Sequence, residues 1–295
     1  LVTEEAVLPL LGVILSVFGV SLGNTDGSGY FKLNQAFRNI DSVRVKADAA
    51  SGVFGFTTDP VAAAGETTRH DIVLLNDYEL DLACSYPDYL SYLRQMGWTE
   101  TVPGQPDQSR LYTWGQYPVA VFIPDEQNEA GVDMLPPCEE ALVFWNSQMR
   151  FDAQLLGVDE SDYFVRVQVR AAADIVFLFE KRAQNYGEVS LLAPGPDEEL
   201  GDVVPELMQV WVNTIAVLDS TAIAGVALHE LGHTLGMFGH SECALESDHL
   251  MLPAGGVPAF DRLEPIHQDE RRAARAIRNI PQGSNMADYR SAKFQ

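Results

Sequence analysis

Cysteine, histidine and basic residues are all scarce in this chain. Only Cys84, Cys138 and Cys243 occur in 295 residues, which permits one disulfide with a thiol left over, or none, and their spacing excludes a Cys-x-x-Cys metal site. Nineteen Lys and Arg stand against 42 Asp and Glu, a net charge of −23. A phosphate backbone or an anionic lipid surface would repel such a chain, so neither nucleic acid nor a charged membrane is an expected partner. A membrane span is lacking too: the opening apolar run, residues 8–20, is broken by Gly12 and Gly19 and is too short to cross a bilayer. Glu4 and Glu5 before it have the wrong sign for the start of a signal peptide. The alternation of Val13, Leu15 and Val17 with Ile14, Ser16 and Phe18 suits a buried strand instead. The chain also lacks an initiator methionine, so a mature form with its export signal removed is expected, in a secreted or cell-surface protein. A hydrophobic content of 46% excludes wholesale disorder, and the length suits two domains. Nothing in the composition fixes an oligomeric state.

The informative residues are among the few histidines. Four of the six lie between residues 229 and 249, three of them in the run His229-Glu230-Leu231-Gly232-His233-Thr234-Leu235-Gly236-Met237-Phe238-Gly239-His240. Residues four apart share one face of a helix, so His229 and His233 can present two imidazoles to a single ion. Glu230 leaves the same helix at another angle, where a carboxylate can hold a water in the open position of a zinc ion. Zinc lowers the pKa of such a water toward about 7, which lets the carboxylate take its proton at neutral pH and pass it to a leaving amine. Glu230 is thus the candidate general base and acid. A chance His-Glu-x-x-His would arise on the order of one time in a hundred in a chain with so few histidines. The setting strengthens it: Leu218-Asp219-Ser220-Thr221 offers a helix cap, and Ile223, Ala227, Leu231 and Leu235 recur at helical spacing. Gly236 can end that helix in a left-handed conformation and turn the chain back, so that His240 reaches the same ion.

This pattern resembles the metzincin clan of zinc peptidases, whose signature is His-Glu-x-x-His-x-x-Gly-x-x-His or Asp, and more closely its matrixin-like branch, where a serine follows the third ligand as Ser241 does here. The spacing departs by one residue. Gly239 falls where the signature places its third ligand, and it reads as an inserted, flexible residue that bulges so that His240 can still arrive. The resemblance implies one catalytic zinc held by His229, His233 and His240, and a methionine in a turn beneath the ligands, which Leu250-Met251-Leu252-Pro253 fits. No tyrosine follows Met251, so the fifth ligand of the astacin branch is not suggested. The clan's order of strand, long helix, strands and zinc helix implies a twisted mixed β-sheet with long helices. It also implies a protein or peptide substrate, laid along the strand nearest the zinc helix. Structural calcium occurs in matrixins, and Asp197-Glu198-Glu199 is a candidate for it against the reading of a solvated loop.

Two other readings stay open. In a gluzincin-type peptidase Glu264 or Glu270 would replace His240 as third ligand, against which Gly236 and Met251 argue. Alternatively the chain is a non-catalytic, zinc-containing binding protein, against which the intact Glu230 argues. His249 reads as a surface residue or a support behind the ligands, and His70 and His267 as solvated. Cys243 lies close to His240 in sequence and is paired with Cys138 as a weak expectation, while Cys84 reads as free or disulfide-bonded rather than as a thiolate capping the zinc.

The fold class expected is α+β, in two domains. Residues 1–82 read as a small all-β sandwich, with turn residues Asn24-Thr25-Asp26-Gly27-Ser28-Gly29 and strands at 30–33 and 43–47. Gly12-Val13 through Tyr30-Phe31 resembles the prealbumin-like sandwiches found beside secreted carboxypeptidases. Residues 83–110 read as a connector with a short helix at 89–96, and 111–295 as the metallopeptidase domain. Within the latter the patterns predict strands at 117–123, 173–179 and 208–212, a helix at 139–150, and a closing helix at 264–280 with Ile266, Ala273 and Ile277 on its apolar stripe. Residues 187–207 and 252–262 read as loops at the rim of the cleft.

Overall fold

A computed structural model describes residues 84–87, 89–97, 99–100, 108–109, 114–156, 161–182, 185–194, 205–243, 249–252 and 265–279 of the expected connector and catalytic region, together with four strands nearer the N-terminus. Those four are β1 (Ile14–Val17), β2 (Val20–Asn24), β3 (Ser42–Asp48) and β4 (Gly55–Pro60). They form one antiparallel sheet in the order β2-β1-β3-β4. The expected sandwich is therefore represented, among the described residues, by a single sheet. The strand expected at 30–33 lies outside the described residues, as do His70, Asp197, Glu198, Glu199, Glu264 and the rim segment at 253–262.

The remaining elements are α+β. The first helix, α1 (Tyr89–Met96), falls where its periodicity predicts. It buries Tyr89, Leu90, Tyr92, Leu93 and Met96 in the same core as the helices that follow, so this part of the expected connector belongs to the core. After a two-stranded ribbon of β5 (Thr99–Glu100) and β6 (Gln108–Ser109) come β7 (Val119–Phe122), α2 (Leu135–Leu156), β8 (Phe164–Val167), β9 (Ile175–Glu180), β10 (Gly187–Pro194), β11 (Pro205–Asn213), α3 (Ser220–Thr234) and α4 (Gln268–Asn279). Five of the strands make a mixed sheet, β10-β11-β9-β7-β8. All its pairings are parallel except β10 with β11, which is antiparallel.

Residues 187–194, expected as loop, are thus strand β10. Their alternation is masked by the small residues Gly187, Ser190 and Ala193; cross-strand pairing with Val212, Gln209 and Leu207 imposes the extended conformation instead. Helices α2 and α3 pack on each other, α2 beside β8 and α3 beside β10 and β11. Residues 223–234 of α3 are all buried, as expected for a helix enclosed by a sheet, a helix and loops. Among the described residues no helix is long and apolar enough to cross a membrane.

Candidate metal centre

Helix α3 starts where Asp219, in an extended conformation, accepts a hydrogen bond of 2.8 Å from the Ala222 amide, satisfying one of the orphan donors of the first turn. Two tryptophans then fix its position. Trp145 Nε1 donates to Leu228 O at 2.9 Å, just before the first histidine, and Trp114 Nε1 donates to Thr234 O at 2.7 Å, just after the second. Between these clamps His229 and His233 project with ring centroids 4.7 Å apart.

The chain reverses at Gly236, whose φ of +94° lies in the left-handed region expected of it. Gly239 has a different reason from the one the sequence suggested. Its amide donates to Met96 O at 2.9 Å, and a Cβ at this position would lie 1.7 Å from Gln95 O. The glycine is a point of close backbone contact with the end of α1, and no flexible bulge is needed to explain it. Gln95 Nε2 also donates to His240 O at 3.3 Å. Held in this way, the His240 ring stands 5.2 Å from that of His229 and 5.0 Å from that of His233.

Met251 lies against α3 at Gly232. Its Sδ would be 2.5 Å from a Cβ on Gly232, so the absence of a side chain there lets the thioether approach the helix. Ser241 N donates to Met251 O at 2.7 Å, joining this turn to the loop that carries His240.

The hydrogen bonds of the rings settle their tautomers. His229 Nδ1 is 2.7 Å from Leu250 O, and His233 Nδ1 is 2.6 Å from Met237 O. A carbonyl only accepts, so each Nδ1 carries the hydrogen and each Nε2 keeps a bare lone pair. Burial keeps these rings neutral: it pushes His229 down to about 4 and, with the neighbouring His229 adding to the effect, His233 down to about 3, while His240 is also lowered by burial. His229 Nε2 and His240 Nε2 face one another at 3.2 Å, and one ring nitrogen from each of the three lies within 4.8 Å of the others. Two nitrogens of a tetrahedral shell with bonds of about 2.0–2.1 Å would stand at a similar separation. These three histidines can therefore hold a metal ion.

Glu230, next to His229 in α3, is buried, and its Oε2 has no hydrogen-bond partner. Burial, with the charge of Glu188 adding to it, pushes its carboxyl up to about 8. The first residue of β10 makes room for it, since a Cβ on Gly187 would lie 2.3 Å from Glu230 Oε1. Asn213 holds the segment leading into β10, donating through Nδ2 to Arg182 O at 2.9 Å and Asn185 O at 2.8 Å.

Several residues differ from their expected places. Cys243 pairs with Cys84 in a disulfide, and Cys138 is a buried free thiol; the pairing spans 159 residues and ties the segment before α1 to the loop after His240. His249 is buried, and His267 is not simply solvated but stacked on it, with centroids 3.8 Å apart. Glu270, the alternative third ligand, accepts from Leu250 N at 2.9 Å and Met251 N at 2.6 Å. Its two oxygens are committed to the methionine turn. In comparisons with known proteins, the chain matches no family model and no curated protein.

Proposed function

We propose that the protein is a zinc-dependent endopeptidase in which His229, His233 and His240 hold the ion and Glu230 is general base and acid. The observation that carries this reading is the convergence of three neutral imidazoles, two of them on a helix with Nε2 bare because Nδ1 is bound to a carbonyl, where the next residue after His229 carries a buried carboxyl oxygen without a partner. An all-nitrogen set of this kind suits zinc, and three protein ligands with a position left open is the catalytic rather than the structural pattern. When bound, zinc would supply a Lewis acid for the scissile carbonyl and lower the pKa of a water.

The chain's own groups account for the rest. Glu230 takes a proton from the attacking water and returns it to the leaving amine. Among the described residues strand β10 lies at the edge of its sheet beside α3, so its outer main-chain groups would pair with an extended peptide and align it past Glu230. Gly187 brings that strand against the base. The matrixin-like order of elements, the Gly236 turn and Met251 against α3 at Gly232 support the same reading. The gluzincin alternative is weakened by the commitment of Glu270 to two amides.

The test is Glu230→Gln. It should retain the ion while cleavage of an unstructured protein such as casein falls by at least about 10²-fold, in keeping with loss of general acid–base catalysis. Undiminished cleavage would refute the role of Glu230, and bound zinc without cleavage by the unsubstituted chain would favour a binding protein.

A further inference from the structure

A second group of potential ligands lies behind the methionine turn and shares no residue with the first. His249 Nε2 is 3.3 Å from Cys84 Sγ. That sulfur is half of a disulfide and has no hydrogen to give, so Nε2 is the donor in this contact. His249 Nδ1 is buried without a hydrogen-bond partner and points toward Glu270 Oε1 at 3.7 Å, both side chains being fully shielded from solvent. Oε1 already accepts from Met251 N. Two acceptors facing one another in a dry site repel unless a positive charge lies between or beside them.

The neighbouring groups fit a cation. His267 stacks on His249, and its Nδ1 is 3.7 Å from Asp269 Oδ2. One nitrogen of His249, one of His267 and one carboxylate oxygen of Asp269 all lie within 4.8 Å of each other. We infer that His249, His267 and Asp269, with Glu270 alongside, form a second site for a divalent cation of the borderline class, zinc above all. Two imidazoles and a carboxylate match that class better than the all-oxygen shells of calcium or magnesium. The ion would join the residue that opens the methionine turn to the first turn of α4 and to the Cys84–Cys243 disulfide, which is a structural role.

The inference does not depend on the peptidase reading, and a metal count separates the two. The full chain is loaded with zinc, freed of excess by desalting and measured by elemental analysis, alongside His267→Ala and the double variant His229→Ala/His233→Ala. About two ions per chain are expected, falling to about one in each variant. A count in His267→Ala equal to that of the unsubstituted chain overturns the inference. A single ion lost in His229→Ala/His233→Ala but kept in His267→Ala also overturns it, leaving the first centre intact. A single ion with the reverse pattern supports the second site and overturns the first. The side chain of His267 is 19% exposed, which makes its truncation mild, and the count on the unsubstituted chain requires no variant to fold.

Discussion

Glu270 Oε1 accepts the Met251 amide at 2.6 Å while Oε2 accepts that of Leu250 at 2.9 Å, and the carbonyl of that same Leu250 accepts from His229 Nδ1. Helix α4 thereby orients a ring of the first centre through one peptide unit. In Glu270→Gln the carboxamide keeps one acceptor and presents NH2 to the other amide, so the turn must shift. Partners that orient a ligand imidazole are typically worth about 10–100-fold in metal affinity. Competition with a chromogenic chelator should show zinc bound that much more weakly, and an unchanged affinity would show that α4 does not set the ring.

Gly187→Ala tests the close approach of β10 to the base. An added methyl would overlap the Glu230 side chain, to which its three nearest atoms all belong. The expected result is unchanged zinc content with cleavage reduced by roughly 10²-fold, the scale of a misplaced catalytic group. Loss of both together would mean that the strand supports the ligands as well.

Thiol counting checks the covalent arrangement. Burial raises the Cys138 thiol far above its ordinary value, so at neutral or mildly alkaline pH it stays protonated, and the thiolate that reacts with disulfide reagents does not form. The native chain should give no titratable thiol, the denatured chain one, and the denatured and reduced chain all three. One rapidly reacting thiol in the native chain would contradict the burial of Cys138, and three thiols in the denatured, unreduced chain would contradict the Cys84–Cys243 pairing.

Trp114→Phe removes the donor to Thr234 O at the end of α3 and leaves a buried carbonyl unsatisfied. Stability measured by denaturant should fall by about 1–3 kcal/mol. A change within error would mean that water replaces the indole.

Much of α3 and its site was legible because helical periodicity is local: the four-residue spacing of His229 and His233, the Asp219 cap and the left turn at Gly236 all lie within about twenty residues. The contact of Met251 with α3 at Gly232 was not legible from the residues themselves, since a thioether near a proline says nothing of what it packs against. The commitment of Glu270, the burial of His249 and the pairing of Cys84 with Cys243 depend on contacts across 19 to 165 residues, which no local pattern encodes. Gly239 was misread for a related reason: a glycine that admits a distant backbone looks in sequence like one that loosens a loop. Strand β10 was missed because its extended form comes from pairing with β11 rather than from its own residues.

Metal content and proteolysis, measured on the same preparation, test the central claim most directly. Zinc should be bound, casein should be cleaved, and a chelator should abolish cleavage that returning zinc restores. Absence of zinc after careful loading would contradict the account outright. Chelator-resistant cleavage would contradict the role given to His229, His233 and His240.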